Sequence, residues 1–160
     1  MSEVRTAAEA ARDAAQHVAT LPTEQKNDYL RDLASALIAA EEDILRANAV
    51  DIARAEEDGL STPKLKRLGI TAESLGQMAE GLRQVADLDD PVARVTRDQT
   101  LENGLRVMRV RCPLGVVMMI YESRPNVTVD AFSLCFKSGN ACILKGGKEA
   151  QASNEALADV

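Results

Sequence analysis

The chain has 160 residues, of which 46% are hydrophobic and 28% charged, a composition that is ordinary for one folded domain and excludes a mainly disordered or fibrous protein. Its formal net charge is -6, with Lys and Arg interspersed among Asp and Glu, which argues against a nucleic-acid surface. No apolar run approaches the roughly 20 residues that span a bilayer, and the N-terminus has no signal-peptide pattern. We therefore expect a cytoplasmic protein that binds neither membranes nor nucleic acid.

The first predicted segment, residues 1–90, is helical. An Ala-rich helix over residues 3–20 ends before Pro22, and Thr23 is a candidate N-cap for the next helix. A helix over residues 23–57 would be long for a globular protein, so we expect a break near the acidic residues 41–43. Apolar residues recur every three or four positions, which predicts a buried stripe made of Leu30, Leu33, Ala34, Leu37, Ile38, Ile44, Leu45 and Ile52.

Two shorter helices complete this segment. Gly59 ends the preceding helical run, and Ser61 and Thr71 are candidate N-caps for a short helix and a longer one. The longer helix has an apolar face in helical register, formed by Leu75, Met78, Ala79, Leu82, Val85 and Ala86.

The pattern changes to β structure in the second segment, residues 91–112. Two stretches rich in Val, Thr and Arg flank Asn103 and Gly104, and Asn-Gly is a strong hairpin signal. The apolar and polar residues alternate imperfectly, with Arg109 and Arg111 on the same side as Val107. We therefore predict a β-hairpin that projects from the body as an arm and pairs with another chain.

The third segment, residues 113–160, predicts the order strand, helix, strand, helix. The apolar run 116–121 is typical of a parallel strand buried on both faces. A polar loop follows over residues 122–126, then a helix over 127–137, a stop at 138–140, a strand over 141–145 and a further helix. This is an α/β fold in which the Rossmann-like sheet is incomplete, since two strands leave both edges exposed.

Several short motifs together resemble the γ-glutamyl phosphate reductase family of the aldehyde dehydrogenase superfamily. They are Pro113-Leu114-Gly115-Val116-Val117, Tyr121-Glu122-Ser123-Arg124-Pro125-Asn126-Val127-Thr128, Lys137-Ser138-Gly139-Asn140 and Lys145-Gly146-Gly147, with looser similarity at Ala47-Asn48-Ala49-Val50-Asp51 and Gly81-Leu82-Arg83-Gln84-Val85. The resemblance covers the whole chain and identifies the incomplete sheet as the start of an aldehyde dehydrogenase type of NADP-binding domain. It also identifies the hairpin as the arm of a homo-oligomer.

The resemblance implies that NADPH reduces L-glutamyl 5-phosphate to L-glutamate 5-semialdehyde and phosphate, a step of proline biosynthesis. In the family a cysteine thiolate attacks the acyl carbon, phosphate leaves, and hydride reduces the thioester. The cofactor-binding residues implied for this chain are Glu122, Ser123, Arg124, Lys145, Gly146, Gly147 and Lys148. Lys148 stands where NAD-using relatives carry a carboxylate, so a 2′-phosphate suits it.

Three residues near the predicted site could have a purely structural role instead of a functional one. Asn126 could support an oxyanion, as an Asn does in aldehyde dehydrogenases, or could cap the following helix. Arg124 could bind phosphate or a carboxylate, or pair with a surface acid. Lys145 could reach a cofactor ribose or 2′-phosphate, or be a solvated residue at a strand end.

No nucleophile or metal site is evident in the sequence. Cys112, Cys135 and Cys142 have no metal-like spacing, and we predict that they are core or surface thiols. The catalytic cysteine of the family is expected beyond residue 160, so the chain alone is predicted to be inactive. His17 has no partner in the sequence and is predicted to lie on the surface.

Two other functions remain open at this point. The chain could be a non-catalytic module that assembles with another chain through its strand edges and hairpin. It could also be part of another aldehyde dehydrogenase relative, which a comparison of aldehyde substrates would reveal.

Overall fold

The computed structural model of the protein describes residues 3–160, so the first two residues of the predicted helical segment lie outside the described part. Helices come first, then a β-hairpin, then two parallel strands with helices, which confirms the predicted α/β class. In chain order the elements are α1 (Glu3–Val18), α2 (Thr23–Ala39), α3 (Glu41–Glu57), α4 (Thr62–Leu68), α5 (Ala72–Asp87), β1 (Val95–Thr100), β2 (Arg106–Val110), β3 (Val116–Ile120), α6 (Asn126–Lys137), β4 (Ala141–Lys145), a 3-10 turn (Lys148–Ala150) and α7 (Gln151–Ala158).

The predicted break in the long helical run is present at Ala40, immediately before the acidic residues of α3. Gly59 has a positive φ of 73° after α3, a conformation that glycine adopts at little cost. Thr71 caps α5 as predicted, because its hydroxyl accepts from the Ser74 N–H while the Ser74 hydroxyl accepts from the Thr71 N–H. Ser61 is the N-cap residue of α4, although its side chain makes no capping bond.

The core is formed where α2 packs on α5 and both pack on α6, with α3 and α7 closing one side. Four of the eight predicted stripe residues are buried and three are half-buried, but Ile38 is 42% exposed, so the prediction was wrong for that residue. The buried side chains of α2 follow a line of four- and three-residue steps through Leu30, Ala34 and Leu37, and Ile38 lies one position off that line. Tyr29 and two phenylalanines of α6 add an aromatic cluster with ring centroids 5.0 to 6.2 Å apart.

The predicted hairpin is present, with β1 and β2 antiparallel and a turn that contains Asn103 and Gly104. The Asn103 side chain accepts from the Leu105 N–H at 3.1 Å, and Gly104 has a φ of 84°. All five residues of β2 are exposed, and only one residue of β1 is half-buried. The hairpin therefore presents both faces to solvent, as expected for a projecting arm.

Strands β3 and β4 are parallel and in register from the pair Val116 and Ala141 to the pair Ile120 and Lys145. The prediction that β3 is buried on both faces was wrong for this chain: Met118 is 57% exposed and Ile120 is 73% exposed. The reason is that the described sheet has two strands, so no element covers the face that these side chains occupy. The predicted helix stop is confirmed, since Gly139 follows α6 with a φ of 77°.

Candidate functional site

The parallel register of β3 and β4 brings two loops to one edge of the sheet. Ile120 pairs with Lys145 at the carboxyl ends of the strands, and the Tyr121 N–H extends the ladder by donating to the Lys145 carbonyl at 3.1 Å. The β3–α6 loop, residues 121–125, and the glycine turn, residues 146–147, therefore leave the sheet side by side. Ligands bind outside the carboxyl ends of strands in open α/β sheets, so this edge is the candidate site.

Ser123 ties the two loops together. Its side chain is 8% exposed, and its hydroxyl donates to Glu149 Oε1 at 2.5 Å, across 26 residues of sequence. This hydrogen bond has the largest effect on the pKa of Glu149, and a hydrogen bond from the Glu149 backbone N–H has the next largest. Together they hold that pKa below its ordinary value, although burial acts in the opposite direction. Ser123 was predicted to contact a cofactor; the structure places its hydroxyl on Glu149.

The glycine turn is tightly enclosed by side chains. A Cβ on Gly146 would lie 2.2 Å from Asn154 Nδ2, and a Cβ on Gly147 would lie 2.2 Å from Glu149 Oε1. Asn154 is itself held in place, because its Oδ1 accepts from the Thr128 hydroxyl at 2.9 Å and that hydroxyl lies 2.6 Å from the Tyr121 hydroxyl. A side chain at either position would therefore have to displace Asn154 or Glu149 from its present hydrogen bonds.

Three exposed cations surround this edge. Lys145 donates to the Gly146 carbonyl at 2.9 Å, and Lys148 begins the 3-10 turn. Arg124 is exposed and forms no ion pair with any residue in 3–160, so the alternative of pairing with a surface acid is not observed there. These side chains are free to meet an anionic ligand.

Glu122 and Asn126 begin and end the predicted polar loop. Glu122 is exposed, and its backbone carbonyl accepts a hydrogen bond from the Arg124 N–H at 2.6 Å. Glu122 and Ser123 also border a cavity of about 30 Å³, which is further lined by Lys64, Arg67 and Arg124. Asn126 is the first residue of α6, and Pro125 is the N-cap residue. The Asn126 side chain therefore does not cap the helix, which was the structural role considered for it in the sequence.

Asn126 instead borders a second and larger cleft. Its Nδ2 donates to Asp130 Oδ2 at 3.1 Å, one turn further along α6. Both residues line a cleft of about 310 Å³ that also receives Arg67 and Ser74. This cleft adjoins the 30 Å³ cavity through Arg67, which lines both.

The three cysteines have the environments of structural thiols. Cys135 is buried and Cys142 is half-buried. Burial raises the pKa of the Cys135 thiol. Burial, together with the neighbouring Cys135, raises the pKa of the Cys142 thiol to about 11. Cys142 is less buried than Cys135 because it lies on β4 of the open two-stranded sheet. Cys112 is exposed and follows the hairpin, and His17 is exposed on α1 as predicted.

The sequence analysis missed two buried polar residues of α3 that fix the elements around the site. Asp51 is 0% exposed and accepts the Ala152 N–H at 3.2 Å and the Ser153 N–H at 2.7 Å, so it caps the first turn of α7. Asn48 accepts the Ile70 N–H at 2.8 Å and donates to the Leu68 carbonyl at 2.9 Å. Their signals in the sequence were two polar residues three positions apart on an apolar stripe and their place in the family-like segment 47–51.

A second buried polar cluster joins α2 to α6. Lys26 is 1% exposed, lies 2.5 Å from Asp90 Oδ2 and donates to the Lys137 carbonyl at 3.1 Å. Thr23, which was predicted to cap α2, is its first residue, and its hydroxyl donates to Asp90 at 2.8 Å. That prediction was wrong because the helix begins one residue earlier than expected, so Pro22 is the N-cap residue and no side chain caps this end. Burial lowers the pKa of Lys137, which donates to Asn27 and Ala86.

No group of three His, Cys, Asp or Glu side chains within residues 3–160 is placed to hold a metal ion. No helix in that range is long and apolar enough to cross a membrane.

Comparison with known sequences gives consistent matches over the whole chain. The sequence model of the aldehyde dehydrogenase family matches residues 1–160. A γ-glutamyl phosphate reductase from Geobacillus sp. (strain WCH70) is 48% identical over 160 residues, which are 100% of this chain and 39% of that protein. Another from Xylella fastidiosa (strain 9a5c) is 48% identical over 158 residues, which are 99% of this chain and 38% of that protein. The chain thus spans less than half the length of these relatives.

Solved structures give the same result. The γ-glutamyl phosphate reductase of Thermotoga maritima matches with a TM-score of 0.95 at 36% identity, covering 99% of this chain and 38% of that one. The Saccharomyces cerevisiae protein of the same name matches with a TM-score of 0.88 at 38% identity, covering 99% of this chain and 42% of that one. The resemblance inferred from the loop motifs is confirmed.

Proposed function

This chain belongs to the aldehyde dehydrogenase family, and from that membership we propose that it forms part of a γ-glutamyl phosphate reductase of proline biosynthesis. The observation that carries the proposal is that the matches to proteins of that name, at 48% identity, cover the whole chain, including the segments that form the two loops of the candidate site. The remaining catalytic groups would come from the portion of the relatives that this chain does not span. Such an enzyme works in the cytoplasm, where the free thiols of this chain would stay reduced.

The proposed reaction converts an acyl phosphate into an aldehyde. In net terms, the acyl carbon of L-glutamyl 5-phosphate loses its bond to the phosphate oxygen, phosphate leaves, and that carbon gains a hydride. In the covalent route of the family a thiolate displaces the phosphate first, and the hydride then reduces the thioester and releases the thiolate. NADPH supplies the hydride when bound. A thiolate nucleophile in this family would not be Cys135 or Cys142, because their raised pKa values keep them protonated at neutral pH.

We propose that the glycine turn and its flanking lysines hold the cofactor. Gly146 and Gly147 form a half-buried turn packed against Asn154 and Glu149, and Lys145 and Lys148 bring two cations to the same edge. Cations at this position suit the 2′-phosphate that distinguishes NADPH from NADH. Glu122, Ser123 and Arg124 would contact the cofactor from the neighbouring loop.

Cofactor choice is testable at Lys148. Lys148→Glu should raise the KM for NADPH roughly tenfold or more and leave the KM for NADH nearly unchanged, since only NADPH carries the 2′-phosphate. Lys66→Glu, at an exposed lysine of α4, is the matched control and should change neither. Equal effects of Lys148→Glu on the two cofactors would contradict the assignment.

We propose that Asn126 stabilises the oxyanion that forms at the acyl carbon. Its amide lies at the border of the 310 Å³ cleft, at the start of α6. Removing one oxyanion donor lowers kcat roughly 100- to 1,000-fold in well-studied enzymes, so Asn126→Ala should lower kcat much more than it changes KM. A change confined to KM would show that Asn126 binds substrate instead.

The activity itself is tested in the reverse direction with the complete protein that carries this sequence. Glutamate 5-semialdehyde, phosphate and NADP⁺ should give NADPH, measured by absorbance, and leaving out phosphate should abolish the signal. Turnover of simple aldehydes without phosphate would indicate another aldehyde dehydrogenase activity. No turnover of any aldehyde would favour the non-catalytic module.

We propose that the β1–β2 hairpin pairs with a second copy of the chain. Val107, Met108 and Val110 are 42% to 49% exposed on a strand whose outer edge has no partner among the described residues. Light scattering should therefore give a mass above that of one subunit. Met108→Lys should shift the protein to a smaller mass, whereas Lys66→Glu should not.

A further inference from the structure

The 310 Å³ cleft carries two opposite charges that the proposed cofactor site does not use. Its lining includes the guanidinium of Arg67 and the carboxylate of Asp130, together with the polar side chains of Ser74, Gln77 and Asn126. The volume lies in the range of small-molecule sites, which is roughly 300–1,000 Å³. The cleft opens beside Asn126, so it adjoins the edge where the acyl carbon would react.

Both charges are available to a ligand. Arg67 is exposed and forms no ion pair with any residue in the described part of the chain. Asp130 accepts a hydrogen bond from Asn126 at one carboxylate oxygen, Oδ2. Its other oxygen has no recorded partner within residues 3–160. A cation and an anion in one cleft, each with unused hydrogen-bonding capacity, suit a ligand that carries both signs of charge.

Side-chain hydrogen bonds to the backbone hold the walls of the cleft, one set from a buried residue and one from a helix cap. Asn48, 4% exposed, bonds the backbone on both sides of Gly69, at Leu68 and Ile70, and so fixes the segment that follows Arg67. The capping box between Thr71 and Ser74 fixes the start of α5. A rigid cleft loses little conformational entropy on binding, which favours recognition of one head group over others.

We propose that this cleft recognises the α-amino acid head group of the substrate, with Arg67 bonding the α-carboxylate and Asp130 the α-ammonium. The assignment rests on the proposed reductase function, which supplies a glutamyl substrate with that head group at the end opposite the phosphate. A simple aldehyde would use neither charge, and a phosphate group would be repelled by Asp130.

Substrates that lack one charge give the decisive test. In the complete protein, glutamate 5-semialdehyde carries both groups and 5-oxopentanoate carries the carboxylate alone. Asp130→Asn should raise the KM for glutamate 5-semialdehyde roughly ten- to hundredfold, as expected for loss of a charge-assisted bond, and leave the KM for 5-oxopentanoate unchanged. Arg67→Gln should raise both, because both substrates carry the carboxylate.

Controls separate binding of the head group from other effects. The KM for NADP⁺ and the KM for phosphate should stay the same in both variants, and Lys66→Gln should change nothing. If Arg67→Gln instead raises the KM for phosphate and not that for the semialdehyde, Arg67 binds the leaving phosphate and the assignment is overturned. Equal losses for the two aldehydes in Asp130→Asn would overturn it as well.

A direct titration distinguishes failure of this assignment from failure of the proposed function. If the wild-type protein does not turn over glutamate 5-semialdehyde, the reductase proposal fails, whereas binding of L-glutamate can still be measured by calorimetry. Weaker binding of glutarate, which lacks the ammonium, and loss of L-glutamate binding in both variants would support the cleft assignment. Equal affinity of L-glutamate and glutarate, or unchanged binding in the variants, would refute it.

Discussion

Replacing Asp51 by alanine tests whether one buried carboxylate of α3 holds the beginning of α7. The Asp51 side chain is fully buried and accepts the backbone N–H groups of Ala152 and Ser153 and, at 2.7 Å, the Ser153 hydroxyl. Arg54 donates to the same carboxylate at 2.5 Å, but its side chain is 47% exposed and can return to water. The loss of stability should therefore come mainly from α7.

The magnitude follows from counting the groups left without a partner. Ser153 is 0% exposed, so its N–H would lose its acceptor without reaching water, at a cost of about 1–3 kcal/mol. The Ala152 N–H, the second backbone group that Asp51 caps, belongs to a half-buried residue and adds about 1 kcal/mol. We count nothing for the half-exposed ion pair with Arg54, because exposed pairs contribute little. Asp51→Ala should lower the free energy of unfolding by about 2–4 kcal/mol.

Urea unfolding followed by circular dichroism measures this change, and hydrogen exchange at the Ala152 and Ser153 amides locates it. Glu56→Ala is the matched control, since Glu56 is an exposed acid on the same helix and surface substitutions usually change stability by less than about 0.5 kcal/mol. The reasoning is refuted if Asp51→Ala and Glu56→Ala unfold at the same urea concentration, or if exchange at the start of α7 does not accelerate.

Three further predictions concern backbone strain, acid stability and thiol reactivity. Gly139→Ala should lower the free energy of unfolding by about 1–2 kcal/mol or more in the same urea assay, because φ is 77° and the added Cβ would lie 2.8 Å from a side-chain carbon. Burial raises the pKa of Asp90, but hydrogen bonds, the first of them from Lys26, outweigh it and hold that pKa below its ordinary value. The stabilisation by the Asp90 carboxylate is therefore present above about pH 4 and is lost as the pH falls through the lowered pKa. Between about pH 5 and about pH 2, the free energy of unfolding of Asp90→Asn should therefore depend less on pH than that of the wild type. Iodoacetamide at neutral pH should label Cys112 well before Cys142, whose pKa is about 11; peptide mapping by mass spectrometry that found the reverse order would contradict the burial argument.

The elements that the sequence predicted correctly are those encoded locally. The break at Ala40, the capping box at Thr71 and the turn at Gly104 each depend on residues a few positions apart. The two loops of the candidate site were located for the same reason, since an apolar strand followed by polar residues needs no knowledge of the rest of the fold.

The features that the sequence did not predict depend on partners distant along the chain. The Thr23 hydroxyl bonds Asp90, 67 residues away, and Asp51 bonds Ser153, 102 residues away. Exposure of Met118 depends on which elements cover the sheet, and periodicity carries no information about that. The pairing of Ser123 with Glu149 likewise required the strand register, which brings the two loops together.

Helix α3 connects the two parts of the proposed site even though it borders neither loop. Asn48 fixes the backbone that follows Arg67 at the cleft, and Asp51 fixes the first turn of α7, which lies directly after Glu149 and the glycine turn. Because Glu149 also bonds Ser123, a displacement of α7 would move the β3–α6 loop together with the glycine turn. The two buried polar residues of α3 thus set the position of the proposed cofactor contacts relative to the proposed head-group cleft, and this accounts for polar side chains on a helix face that is otherwise apolar.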